Sequence, residues 1–378
     1  MVGGGLAGLV AACAIAKAGL DVIHLAPAAP VDHRTSALMV PSVRILQDLG
    51  LVDDPGDLGV PLEKIRIIDA THRLIRAPEA LFDSAEVNEK AFGWNFANTA
   101  MSAQFSRRIE TLSNLNQLEA SATGLSKGKN GWQLSLSDGR SIETRLVVGA
   151  DGKRSFVRNA AGISIHETQH KQSALVCDLA LSFPLNGESV EYHYENGPFT
   201  LVPAGGKKAN LVWIDRAKKL SEIKALAPEA ILAAIQKKSQ NLFGTLELET
   251  AAFVFPLSSF KAGRLGKEGI VLVGEAAHAF PPIGAQGLNL SLRDVAALTE
   301  CIGRTGQTKP DWAIGVSKAY DEARAHDIGR TKMMVGALFN SLLSEMLPAQ
   351  VLRSGGIWAL KTTPYLRKFA FDMGMGPR

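Results

Sequence analysis

The residues with the most chemistry in this chain lie in Gly269–Asp294, which reads GIVLVGEAAHAFPPIGAQGLNLSLRD. Ile270 to Val273 is an apolar run bounded by glycine, which predicts a strand covered on both faces. Gly274-Glu275 stops it and leaves a carboxylate at its carboxyl end. Pro281, Pro282 and Gly284 make a bent, rigid loop, and a helix begins near Gln286. Gly287, followed by Leu288 and Asn289, lets another group approach that helix start closely. The free N–H groups of a first helical turn favour partial negative charge. A carboxylate and a positive helix end facing one space suit a cofactor with hydroxyl groups at one end and an electron-rich ring at the other.

A second glycine cluster opens the chain. Gly3, Gly5 and Gly8 have G-x-G-x-x-G spacing and lead into LVAACAIAKAG, an apolar helix ended by Gly19. Such glycines allow a tight turn, close approach of a pyrophosphate to the helix start, and close helix–strand contact. Asp21 to Leu25 follows as a strand, which makes the cluster a dinucleotide site. The fingerprint should also follow a strand, yet only Met1 and Val2 precede it. Either residues upstream complete that strand or the sheet is incomplete here, and weak cofactor binding is then expected. A third signal is Val147 to Arg158, where Asp151 ends a buried strand, Gly152 permits a turn, and Ser155 and Arg158 start a helix.

The central stretch resembles the second flavin-binding motif of the FAD-dependent aromatic hydroxylases, G-D-A-A-H…P-P…G-x-G-x-N…D. The matching residues are Gly274, Ala276, Ala277, His278, Pro281, Pro282, Gly284, Gly287, Asn289 and Asp294. The likeness is strongest to the branch that hydroxylates polyprenylated phenols in ubiquinone biosynthesis, and it spans nearly the whole chain. It implies that the acid binds the ribitol or ribose region of FAD and that the loop and helix start cover the isoalloxazine. Glu275 stands where Asp is usual, and Ala285 sits inside the glycine run. Ala26 holds the position at which an acid would bind the adenosine ribose. Losing such a bond costs about 1.5–3 kcal/mol. Asp32 to Leu38 resembles the family's D-x-R-x-x-A-L segment and places Arg34 beside the cofactor; the plain alternative is a surface Arg at a helix start. Gln104 and Arg108, on a helix from Asn98, are candidates for the family's cofactor-reaching residue. Asp151-Gly152 matches the motif linked to FAD and nicotinamide-nucleotide binding. Gly197-Pro198-Phe199 and Leu211-Val212-Trp213 resemble a substrate-lobe segment of the ubiquinone branch. Tyr192, Phe199 and Trp213, with Pro281, could line an aromatic substrate pocket or be plain core.

Stepping out to the elements, the pattern is α/β. A Rossmann-like FAD-binding lobe of the para-hydroxybenzoate-hydroxylase type is expected from segments 1–60, 93–170 and 256–330. An inserted antiparallel-sheet substrate lobe takes 61–92 and 171–255, and C-terminal helices take 331–378. The 378 residues are enough for a large core, and the net charge of +4 is small for that length. Basic residues do not run beyond a pair such as Lys207-Lys208, which argues against nucleic acid. Cys13, Cys177 and Cys301 have no metal or redox spacing and read as buried residues of a reducing compartment. No metal site is expected. Val351 to Met373 mixes apolar and basic residues, so it is either an amphipathic membrane-surface tail or a core-packed last helix.

The resemblance implies an FAD-dependent monooxygenase that uses NAD(P)H and O2 to hydroxylate an aromatic ring, with a polyprenyl phenol as substrate. The sequence names no catalytic side chain, because no residue pair demands a general base. Expected surroundings are the cytoplasm or the inner face of a membrane, with other quinone-biosynthesis proteins as company. The alternatives are another flavin enzyme on this fold, or a non-catalytic flavin-fold member of such a complex, which Ala26 and Glu275 favour.

Overall fold

The computed structural model describes residues 1–306, 309–344, 346–363 and 365–367. Its helices are α1 (Leu6–Lys17), α2 (Val40–Asp48), α3 (Asn98–Ile109), α4 (Phe156–Ala160), α5 (Ala217–Lys224), α6 (Pro228–Lys238), α7 (Gln286–Thr305), α8 (Trp312–Leu343) and α9 (Leu347–Thr362). Residues Phe369, Phe371 and Met373 of the expected tail lie outside the described residues.

A small parallel sheet carries the cofactor lobe. Leu115–Leu118 pairs in parallel with Val22–Leu25, and Val147–Gly149 pairs in parallel with Ile270–Leu272. Val2 bridges the two halves, paired in parallel with both Leu25 and Gly149. The Val2 N–H donates to Val148 O at 2.8 Å and the Gly3 N–H to Leu25 O at 2.9 Å. The central strand position is therefore spanned at its ligand-facing end by residues 1–3. α1 packs against α3 and α7, and Leu9 to Ala16 are all buried. Its alanines leave room for that approach on every side.

The second lobe is built on a large sheet. In order across it run His278–Ala279, Phe253–Ala262, Ile165–Leu181, Lys208–Arg216, Gly197–Pro203, Glu188–Tyr194, Lys64–Asp69 and Ala80–Asp83. Two details differ from expectation. The sheet is mixed, since Glu188–Tyr194 lies parallel to Lys64–Asp69; the return of the chain after Asp69 is long enough for a crossover. The strands Ile165–Leu181 and Phe253–Ala262 also run straight across the expected lobe boundaries at 170 and 255. Long strands shared by both lobes make the junction stiff. His278–Ala279 adds to the edge of this sheet, so the loop after Gly274 physically joins the two lobes.

Alternation sorts the large sheet's faces. Leu175, Cys177, Leu179, Tyr192, Phe199, Leu201, Leu211 and Trp213 form one core with Leu220, Ile231, Ile235 and Phe243 of the α5–α6 region. Ala174, Ile214 and Leu257 face the other way, against Ile283 of the central loop and Phe339 of α8. Of the two readings of the aromatic trio, pocket lining or plain core, the packing against the α5–α6 layer favours core. Tyr192 meets Phe199 and Phe199 meets Trp213 edge-on, with ring centres 5.8 and 5.7 Å apart. The Tyr192 hydroxyl donates to Ser239 O at 3.0 Å, beyond the end of α6. These side chains are plain core.

α8 is seated on the cofactor lobe through a glycine. A Cβ at Gly266 would lie 1.9 Å from Ser317 O of α8. Gly266→Ala must push the helix away, and overpacking of this kind costs about 1–3 kcal/mol. Thermal unfolding followed by circular dichroism should show a melting temperature lowered by several degrees; an unchanged midpoint would mean that α8 is not held there.

Candidate cofactor site

The glycine loop at the start of α1 is shaped from beneath. Gly3 has φ +124°, and a Cβ there would lie 2.3 Å from Ala150 O. A Cβ at Gly8 would lie 1.9 Å from Gly3 O. Gly5 differs: its φ is −75°, which any residue adopts, and no protein atom lies within 4 Å of an added Cβ. Only a group outside the chain requires Gly5 to be bare. Beneath the loop, His24 is fully buried and its Nε2 donates to Gly3 O at 2.8 Å. Burial pushes the imidazole pKa down, against a smaller upward effect of the Gly3 bond, so the ring is held neutral as a fixed donor. Sequence reading missed His24; its signal was a histidine inside an apolar strand.

Asp151 lies at the end of Val147–Gly149, as expected. Its Oδ2 accepts the Val157 N–H of α4 at 3.1 Å, while its Oδ1 is buried and without a partner among the described residues. An acceptor buried and unmatched is costly unless a donor completes it. A ribityl or ribose hydroxyl is such a donor. Gly152 has φ +75° and open space beside it. Arg158 ties this turn to the central stretch, donating to Ala276 O at 3.0 Å and Lys153 O at 2.9 Å.

Arg34 precedes the strand Thr35–Met39 and does not start a helix. Its Nε donates to Asp32 Oδ1 at 2.8 Å and its Nη2 to Asp32 Oδ2 at 2.9 Å. Asn98 Nδ2 donates to the same carboxylate at 2.8 Å, so Asp32 and Asn98, neither assigned from sequence, aim the guanidinium. The Asp32 bond chiefly raises the Arg34 pKa, and the nearby Glu275 charge adds to it. Glu275 is exposed, so the two charges face one solvent-filled space. Of the helical candidates, Gln104 accepts from Arg107 Nη2 at 3.2 Å, and Arg108 is taken up by Asp53.

The start of α7 closes the cleft. Gly287 has no protein atom within 4 Å of an added Cβ, and Leu288 behind it is half-buried. Gly284 has φ +65° and Ala285 has φ +53°. The left-handed region costs a residue with a Cβ roughly 1–2 kcal/mol, so Ala285 holds the bend under strain. Pro281 is buried and Pro282 exposed, with a tight turn in which the Ile283 N–H donates to Pro281 O at 2.7 Å. Asn289 was expected against the cofactor, but its amide grips the chain instead. Its Oδ1 accepts the Met39 N–H at 2.9 Å and its Nδ2 donates to Ala37 O at 2.8 Å. It fixes the distance between α7 and the Arg34 strand.

Behind the cleft sits Asp294, with no exposure to solvent. Its Oδ2 accepts the Gly274 N–H at 2.9 Å and His278 Nε2 at 2.7 Å; its Oδ1 accepts Arg324 Nε at 2.8 Å. Burial pushes the carboxyl pKa up, but His278, Arg324 and the Gly274 N–H outweigh it and hold it below the usual value.

Gly5, Gly152 and Gly287 have open space where a side chain would stand, Asp151 keeps a buried acceptor without a partner among the described residues, and Arg34 and Glu275 lie close enough for their charges to interact. These residues fit FAD. Variants at Glu275 test the site, and Asp294→Asn tests the buried network behind it. Glu275→Gln keeps the shape and loses the charge-assisted bond, so FAD should bind several-fold to about thirty-fold more weakly. Glu275→Asp weakens binding as well if the turn is adapted to the longer side chain; unchanged affinity in both would put Glu275 outside the site. Asp294→Asn should cost up to about 3–5 kcal/mol near pH 7, because the buried Arg324 then keeps only Asp327 as a carboxylate partner. Because the folded pKa is depressed, the carboxylate's contribution is full above the ordinary value of 3.8 and lost as pH falls through the lower folded value. Urea melts should show the gap between variant and wild type closing in acid.

Comparison with known proteins agrees with this geometry. The FAD binding domain family matches residues 1–307. The ubiquinone hydroxylase UbiL of Rhodospirillum rubrum is 30% identical over 385 residues, covering 100% of this chain and 89% of the relative. The 3-demethoxyubiquinol 3-hydroxylase of Escherichia coli is 26% identical over 387 residues, covering 100% and 97%. Among solved structures, the p-nitrophenol 4-monooxygenase PnpA of Pseudomonas putida superposes with TM-score 0.79 at 18% identity, covering 100% of this chain and 98% of that one. The family match over residues 1–307 and the 30% identity over the whole chain, on a fold shared with flavin monooxygenases, place the chain in the FAD-binding-domain family as an FAD-dependent monooxygenase of the aromatic-hydroxylase type.

Proposed function

We propose that this enzyme hydroxylates the ring of a polyprenylated phenol in ubiquinone biosynthesis. The observation that carries the reading is an open glycine loop at Gly5 beside two acid-bearing turns, Asp151-Gly152 and Gly274-Glu275, at the carboxyl ends of parallel strands of the small sheet. The two ubiquinone-pathway relatives support the substrate class. FAD, when bound, supplies the route for electrons from NAD(P)H to O2 and delivers oxygen to the ring. The chain binds, orients and keeps water out. Gly5 and the start of α1 take the pyrophosphate. Asp151 Oδ1 and Glu275 accept cofactor hydroxyls, and Arg34 offers its remaining donors to oxygen atoms. Pro281 to Ala285 covers the ring system, and behind it Ile283 packs on Ile214, Ala174 and Leu257 of the large sheet, which keeps water from that side of the loop. No side chain is assigned as general base, because no residue pair in the sequence demands one.

This reading puts the enzyme on the cytoplasmic side of the membrane that holds its substrate, in contact with that membrane and with other proteins of the pathway. A strain lacking the gene should accumulate one polyprenylated ubiquinone precursor and regain ubiquinone on complementation. Purified protein should be yellow and should oxidise NAD(P)H faster with that precursor. Normal quinone in the deletion strain would overturn the reading. A colourless protein whose loss still blocks the pathway would favour the non-catalytic role suggested by Ala26.

A further inference from the structure

α9 is built inside out over its first half. Gln350, Arg353 and Ser354 face the protein, at 5, 9 and 7% exposure. Arg353 Nη2 donates to Asp69 Oδ2 at 3.2 Å and its Nη1 to Ser341 O at 3.2 Å, which pins the polar face to the large sheet and to α8. Further along, Ile357 and Leu360 lie against Ala80, Phe82, Val87 and Phe92. The outward face is apolar. Leu347, Val351 and Trp358 recur at helical spacing, with Leu352 beside them at 77% exposure. A water-facing helix has the opposite arrangement, so this face calls for an apolar medium.

The patch continues onto α8. Met333, Met334 and Leu338 are exposed there, and Tyr365 follows α9 at 79% exposure. The inner side of the same turn of α8 carries Phe339, packed on Ile283 of the cofactor loop and edge-on to His170 at 5.1 Å. One helix thickness separates the apolar surface from the roof of the site.

We infer that the outward face of α9, with the last turns of α8, docks on a lipid bilayer. The rim decides between lipid and a second copy of the chain. From Ile328 to Arg367 the only acidic residue in the sequence is Glu345, whereas Arg330, Lys332, Lys361 and Arg367 are basic. Arg367 is paired with Glu86, but Lys332 and Lys361 stand exposed. A two-fold contact through this face would bring like charges together. Anionic headgroups complement them, and Trp358 and Tyr365 suit the headgroup level. Among the described residues no helix is long and apolar enough to cross a membrane, so the contact is with the surface. The inference fits the polyprenyl-phenol reading but is tested without substrate, so the two can fail separately.

The test is flotation of the FAD-loaded enzyme with phosphatidylcholine vesicles and with vesicles containing phosphatidylglycerol. Binding should be several-fold stronger to the anionic vesicles. Leu352→Glu and Trp358→Glu should each reduce it at least tenfold while leaving the melting temperature and the FAD content unchanged. Three results would overturn the proposal. One is no binding by wild type to either vesicle. Another is binding that salt removes but both variants keep. The third is a dimer in solution that either variant dissociates, which would make the face a contact between copies.

Discussion

The Asp294 carboxylate holds the arrangement together. It sits on α7, yet its three bonds reach the end of the central strand, the loop that crosses to the other lobe, and the long helix α8. An isolated charge at that depth would be worth several kcal/mol against folding. The partners offset this only in one geometry, so the position of the Gly274 turn, of His278 and of α8 are set jointly. Arg324 and Arg293 share Asp327 as a second acceptor, which extends the network along α8. The cofactor loop has no independent freedom to drift: it hangs between a buried ion network and the edge of the large sheet.

That rigidity explains how Ala285 survives in a glycine's conformation. Strain of about 1–2 kcal/mol persists only where the surroundings over-determine the backbone. Here Asn289 clamps one side of the bend to Met39 and Ala37, and His278 clamps the other. The same logic applies to His24 under the phosphate loop. A neutral imidazole holds the Gly3 carbonyl and leaves the N–H groups of the loop facing outward. In both loops a buried polar side chain fixes the backbone, and the backbone presents the site.

Local chemistry was legible in the sequence because glycine, proline and a terminal acid are forced by backbone geometry. The turns at Gly3–Gly8, Asp151-Gly152 and Gly274–Gly287 fall where their residue types predicted. What was illegible depended on partners far away in sequence. Asn98 aims Arg34 through Asp32, and Arg324 completes Asp294; neither role leaves a local mark. Tyr192, Phe199 and Trp213 show a different limit. Alternation says that they share a face of the sheet, but not whether that face meets the cofactor or the α5–α6 layer. The parallel pairing of Glu188–Tyr194 with Lys64–Asp69 joins segments more than a hundred residues apart, and no pattern within either strand encodes it.

The division of labour between lobes follows from these constraints. The cofactor side is polar and made of backbone: bare glycines, helix starts, one unmatched carboxylate oxygen and a paired Arg34. The large sheet behind the loop is apolar and made of side chains: Ala174, Ile214 and Leu257 pack with Ile283 of the loop and Phe339 of α8. The side of the molecule on which α8 and α9 lie is also the side on which their apolar residues face outward. α8 thus joins the loop to the buried charge network, since its Phe339 packs on Ile283 of the cofactor loop and its Arg324 holds Asp294.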